Sequence, residues 1–303
     1  MCIICTKNKS ELINLTTLDC SGCIHITEIP KELIGLVELF CNDCPLLTEI
    51  PNELVGLARL KCYDCPLLTE IPKELVGLIL LDCMKCPLIT KIPKELIELT
   101  ILRCSGCPLT NIPKELFELT WLDCSECHLL TDLPKELSGL TFLDCSDCPL
   151  LTEIPDNFYK LTFLDCYRCP LLTEIPNGFI DLVTLVCSGC PLIRDISGRF
   201  VLLSQLFCSD CPQLTSIMDD PENLEEWCGL DEIQCSNCPY LYLTDDQLRV
   251  ECSGHENLST RENLELHARF ISTFRWEYYK LGLLKYTPLH EIIMGTVLSN
   301  ICR

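Results

Sequence analysis

The chain has 303 residues, 27 of them cysteine, with a formal net charge of −21 at pH 7. That charge repels the phosphate backbone of nucleic acids and anionic membrane surfaces, and no cluster of lysine or arginine offsets it, so neither is an expected partner. Polar residues interrupt every apolar run short of a bilayer's thickness, and Met1-Cys2-Ile3-Ile4-Cys5 is no charged leader before a signal-length apolar core, so the thiols are expected to stay reduced in an intracellular, cytoplasmic compartment.

In chain order, Cys-x-x-Cys pairs begin at residues 2, 20, 41, 62, 83, 104, 124, 145, 166, 187, 208 and 235. From 20 to 208 the spacing is 21 residues, with one step of 20, and this repetition overrides the roughly two domains that length alone suggests. The unit is L-x-x-L-x-C-x-x-C-P-L-L-T-E-I-P-K-E-L-x-x. In an extended stretch such as Leu143-Asp144-Cys145, leucine and cysteine share one face and the aspartate takes the other. One coil cannot bury that apolar edge alone, whereas stacked coils make a continuous core. The Ile154-Pro155 step turns the chain, and Pro72-Lys73-Glu74-Leu75 reads as the start of a short helical or 3₁₀ segment.

The segments Leu36-Val37-Glu38-Leu39-Phe40-Cys41-Asn42-Asp43-Cys44 and Leu140-Thr141-Phe142-Leu143-Asp144-Cys145-Ser146-Asp147-Cys148 resemble the leucine-rich repeat, whose core is L-x-x-L-x-L-x-x-N-x-L. The resemblance covers residues 12–256 and implies an α/β solenoid of about 21-residue coils, with a parallel sheet on the concave side and irregular or helical turns behind. Residues 1–11 are then an N-terminal partial repeat or cap, and 257–303 a C-terminal helical cap or adaptor segment. The run of C-P-L-L-T-E-I-P units also resembles the cysteine-rich leucine-rich-repeat proteins of giant amoeba-infecting (mimivirus-like) DNA viruses, which implies a viral protein engaging host or viral proteins in the host cytoplasm.

The same resemblance places the first cysteine of each pair at the inward leucine position and the second at the inward asparagine. Two interior thiol ladders follow: Cys20, Cys41, Cys62, Cys83, Cys104, Cys124, Cys145, Cys166, Cys187, Cys208 and Cys235, then Cys23, Cys44, Cys65, Cys86, Cys107, Cys127, Cys148, Cys169, Cys190, Cys211 and Cys238. A buried thiol is a small hydrophobe with a weak S–H donor, and at the asparagine position it partly replaces the hydrogen bond that holds the bend. The alternative is a metal-binding structural or redox repeat protein, with zinc or iron–sulfur clusters between stacked pairs. A site in every gap would crowd charged thiolates into one core, and ladder disulfides would need a Cβ separation below the strand spacing of about 4.8 Å. No metal and no cofactor are therefore assigned. Cys2, Cys5, Cys228, Cys252 (beside His255) and Cys302 stand outside the ladders.

Strand residues facing away from the core line the concave surface. The column before the second leucine contains Leu80, Ile101, Trp121, Phe142 and Phe163, and the column after it contains Asp123, Asp144 and Asp165, with Tyr167 close by. An exposed aromatic strip bordered by like charges is expected to bind a protein partner with a basic or apolar surface. The plainer alternative is that the stacked rings only stabilise neighbouring strands.

After Cys208 the next pair waits 27 residues, and 219–227 reads as a helical insertion. Ser259-Thr260-Arg261-Glu262 resembles a capping box, and Pro288 a second helix start. A helical lid over the last coil is expected; the alternative, from a faint F-box-like likeness at Pro288–Ile293, is a ubiquitin-ligase substrate adaptor. No nucleophile elbow or phosphate-cradling loop is present, and the histidines at 25, 128, 255, 267 and 290 are scattered, so a non-enzymatic binding protein is expected.

Overall fold

The computed structural model describes residues 2–6, 12–197, 199–217 and 232–241. The expected insertion at 219–227, Cys228, Cys252, His255, Cys302 and the helical segment 257–303, with its adaptor alternative, lie outside these residues. The strands are Thr17–Asp19 (β1), Glu38–Phe40 (β2), Arg59–Lys61 (β3), Leu80–Asp82 (β4), Ile101–Arg103 (β5), Trp121–Asp123 (β6), Phe142–Asp144 (β7), Phe163–Asp165 (β8), Thr184–Val186 (β9), Asp195–Ile196 (β10), Gln205–Phe207 (β11), Ser216–Ile217 (β12) and Glu232–Gln234 (β13). All but β10 and β12 pair in one parallel sheet in chain order, in register, with Leu18 beside Leu39 and Leu39 beside Leu60. The strands β10 and β12 pair separately.

The core is a set of inward columns repeated from coil to coil. Leu36, Leu39, Cys41, Cys44, Leu47, Ile50 and Leu54 are all buried, and the same positions recur along one continuous cluster, with Phe158, Phe179 and Phe200 taking the place of Leu54 in later coils. The coil between Cys104 and Cys124 is one residue short. It keeps Leu109 in the core and drops its outward neighbour: Leu109 N–H donates to the Cys107 carbonyl (2.8 Å), where a full coil has Leu47 N–H reaching the Cys44 carbonyl (3.2 Å).

Of the irregular or helical turns expected behind the sheet the structure has turns, and the expected α/β solenoid is corrected to a β-solenoid: Ile3–Thr6 (α1) is the one named helix among the described residues. Leu75 N–H donates to the Pro72 carbonyl (3.3 Å) and Leu78 N–H to the Leu75 carbonyl (3.1 Å), so the back of the coil is two successive turns. The reason is spacing. Inward leucines three apart, with proline opening the first turn and Gly77 inside the second, suit turns, whereas a helix needs an apolar stripe on a 3.6-residue period.

The Cys-x-x-Cys segment is itself the tight bend after each strand. The residue before the second cysteine is left-handed, with φ of 52–58° at Asp43, Asp64, Lys85, Glu126, Asp147, Arg168, Asp210 and Asn237, and 69–74° at Gly22, Gly106 and Gly189. Such a conformation costs an ordinary residue about 1–2 kcal/mol and is easiest for Gly, Asn and Asp. Those three types fill most of the column, a turn signal present in the sequence itself.

Candidate functional site

The sheet face divides into a polar part and an aromatic part. On β2 and β3, Arg59 Nη1 meets Glu38 Oε1 at 2.9 Å. On β5, Arg103 lies between acids of both neighbouring strands, its Nη1 3.0 Å from Asp82 Oδ2 and its Nε 3.8 Å from Asp123 Oδ2. Asp82 is buried and its Oδ1 has no hydrogen-bond partner, so its charge is balanced chiefly by Arg103. Lys61 extends over the Phe40 ring, 5.7 Å from its centroid; burial lowers its pKa, and attraction to Asp82 opposes the shift.

The rings of the aromatic part are brought together as expected. Trp121 stacks on Phe142 with centroids 3.6 Å apart, and Phe142 on Phe163 at 4.5 Å, interplanar angles being 7° and 1°. Parallel in-register strands impose this face-to-face geometry, although isolated rings prefer an offset or an edge contact. The expected exposure is corrected: Trp121 is 8%, Phe142 5% and Phe163 0% exposed, and Leu80 and Tyr167 are buried as well, leaving Ile101 half-exposed. Stacking contributes, because each ring covers the faces of its neighbours.

Asp123, Asp144 and Asp165 are likewise buried rather than presented to a partner. Their carboxylates turn back on the bend. Asp144 Oδ1 accepts from Ser146 N–H (3.1 Å) and Oγ–H (2.6 Å), Asp123 Oδ1 from Ser125 N–H (3.3 Å) and Oγ–H (2.8 Å), and Asp165 Oδ1 from Tyr167 N–H (2.9 Å). An aspartate that closes an Asx turn is thus placed by local geometry as well as by any partner. Burial first, then the charges of Asp165 and Asp123, push the Asp144 carboxyl well above the ordinary range.

The thiol ladders have the expected inward geometry. At Cys44, Cys65, Cys86, Cys107, Cys127, Cys148, Cys169, Cys190, Cys211 and Cys238, the Sγ–H donates to the carbonyl of the first cysteine one coil earlier, at 3.0–3.4 Å. Cys235 and Cys238 are only half-buried, where the 21-residue pattern stops. Burial raises the thiol pKa of Cys41 and Cys124 far above normal and pushes Cys65 up to about 12. Cys44, Cys107 and Cys211 shift downward through their contacts with Cys20, Cys83 and Cys187. The neutral S–H form is nevertheless the one that satisfies the carbonyl, and a lone thiolate facing that oxygen would be repelled.

One thiol group departs from this pattern. Cys5 Sγ lies 3.7 Å from Cys2 Sγ and 3.6 Å from Cys23 Sγ, and the three sulfurs fall within 4.8 Å of one another. Burial alone would raise Cys23, but the His25 N–H and contacts from Cys2 and Cys5 draw it down to about 6, while Cys5, bonded to Cys23, rises to about 11.

The Leucine Rich Repeat family model matches two consecutive coils, residues 118–140 and 139–161. The chain is similar in structure to a leucine-rich-repeat protein of Leptospira interrogans, at 20% identity over 74% of this chain and 72% of that one, with a TM-score of 0.53. It is similar also to the leucine-rich repeat domain of the type III effector XopL, at 18% identity over 68% of this chain and 79% of that one, with a TM-score of 0.51. At these identities the likeness is one of fold: stacked leucine-rich coils. No curated protein matches the chain.

Proposed function

We propose that this protein is a non-enzymatic interaction module that receives a protein partner on the face of its sheet. The observation that carries the reading is where the repeats differ from one another. Interior columns are almost uniform leucine and cysteine, and the outer T-E-I-P-K-E-L segment varies little, yet the column Thr17, Glu38, Arg59, Leu80, Ile101, Trp121, Phe142, Phe163, Thr184, Gln205 changes at nearly every step. Coil stacking alone gives no reason for one face of a near-identical array to diversify; a non-repetitive partner does. The half-exposed Ile101 and the net charge of −21 favour a partner with an apolar or basic surface. The hydrogen bonds from cysteine S–H groups to carbonyls require thiols that stay reduced, and these, with the likeness in repeat style to giant-virus proteins, support an intracellular setting and a host or viral protein as that partner.

Because Trp121, Phe142 and Phe163 are buried, replacing them tests stability as much as binding. Arg59→Glu combined with Ile101→Ala changes half-exposed sheet positions instead, and Lys73→Glu is the control on the exposed back of a coil. Partners are captured by cross-linking from a candidate host cell, and affinity is then measured with the purified partner. The sheet variant is expected to bind on the order of 10-fold or more weakly, as loss of interface anchors does, with the control unchanged. Equal binding by both variants removes the sheet face as the site.

A further inference from the structure

Cys23 is the second cysteine of the first full coil. In ten later coils that sulfur donates to the carbonyl of the first cysteine one coil back. Cys23 instead faces Cys5, and Cys5 faces Cys2, so the ladder ends in converging sulfurs rather than in a sulfur–carbonyl bond. Cys2 and Cys5 are three residues apart across the single turn Ile3–Thr6, a spacing that puts both side chains on one face. The observed separations of 3.6 and 3.7 Å are close to the edge of a tetrahedron built from 2.3 Å Zn–S bonds, about 3.8 Å. A four-residue helix is too short to hold itself, and S–H groups are weak donors, so sulfur contacts alone anchor this turn poorly.

We propose that Cys2, Cys5 and Cys23 form a three-sulfur zinc site that clips the N-terminal turn to the first coil, with the fourth coordination position left to solvent. The interior ladders remain thiols. Zinc is thus confined to the end of the stack, where sulfurs meet sulfurs and, among the described residues, no carbonyl of an earlier coil takes up the second cysteine. Zn²⁺ binding replaces the thiol protons, and the clip adds metal–sulfur bonds to the packing of Ile3 and Ile4 against the core.

The test uses the full chain purified reduced and without oxygen, zinc analysis after exchange against a competing chelator, and Co²⁺ as a spectroscopic probe. The wild type is expected to hold one zinc per chain and, with Co²⁺, to show sulfur-to-cobalt charge-transfer absorption and the intense visible bands of a tetrahedral ion. Cys5→Ser, at an exposed position, is expected to lower zinc affinity by on the order of 100-fold or more, since even losing a supporting contact around a ligand costs 10–100-fold. Cys148→Ser in the ladder and Cys252→Ser are expected to keep the full zinc content. Absence of stoichiometric zinc in the wild type overturns the proposal. So does full retention by Cys5→Ser, loss in Cys252→Ser, or a Cys5–Cys23 disulfide in the reduced, oxygen-free preparation.

Discussion

The second-position thiols make a quantitative prediction at Cys148. Its Sγ–H donates to the Cys124 carbonyl at 3.2 Å, and both residues are fully buried. Cys148→Ala strands that carbonyl, at about 1–3 kcal/mol for an unsatisfied buried acceptor, and also removes a buried sulfur comparable to one methylene, about 0.8 kcal/mol. The expected cost is therefore about 2–4 kcal/mol. Cys145 in the same coil provides the internal control. Its sulfur is 3.4 Å from the Asp165 carbonyl, which already accepts the Cys145 N–H at 2.8 Å, so Cys145→Ala loses little beyond volume, about 1 kcal/mol. Cys148→Val restores volume without a donor and should remain destabilised, whereas Cys148→Ser restores the donor and should recover much of the loss. Urea unfolding under reducing conditions compares the four variants. Because all sit in one coil, departures from two-state behaviour in a repeat protein affect them alike. Equal costs for Cys145→Ala and Cys148→Ala, or a Cys148→Val as stable as wild type, would refute a hydrogen-bonding role for the second cysteine.

Other positions yield further expectations. The folded-state pKa of Asp144 is raised, so between the unfolded value near 4 and the folded value the native state binds more protons than the unfolded chain; stability falls as pH rises through that window. Asp144→Asn keeps the acceptor for Ser146 and should be more stable than wild type at pH 8, with a flatter dependence in urea titrations between pH 5 and 8. Arg103→Met leaves Asp82 buried without its counter-charge and should cost about 3 kcal/mol or more, while Asp82→Asn added to it should return much of that, a coupling read by a double-mutant cycle. A Cβ at Gly178 overlaps the Asp156 carbonyl oxygen, so Gly178→Ala is expected to lower the melting temperature, whereas Gly22→Ala, in open space, meets only the strain of its positive φ. Equal effects from these two glycine substitutions would refute the close approach.

Much of the fold was legible in the spacing of the cysteines. A 21-residue period with leucine and cysteine alternating around a short extended stretch leaves stacking of parallel strands as the way to bury every apolar edge, and strand alternation assigned the first sulfur of each pair to the interior, whereas the second was placed there by the resemblance to the leucine-rich repeat. The turn chemistry was also present, in the glycine, aspartate and asparagine before each second cysteine, although the Cys-x-x-Cys pattern drew attention to its ends rather than to that residue. The back of the coil stayed open between irregular, helical and 3₁₀ turns because a proline at a turn start is compatible with each of them; the three-residue spacing of the inward leucines favours the turns.

What the sequence determined by itself was periodicity, and with it which side chains go inward, because strand alternation and coil length are local properties of the chain. What only the tertiary structure decided was contact between coils. It set the exposure of Trp121, Phe142 and Phe163, the pairing of Arg103 with acids on two strands, and the meeting of Cys2 and Cys5 with Cys23. Those contacts depend on which atoms of residues some twenty positions apart come within a few ångströms, a distance that no spacing within one coil specifies.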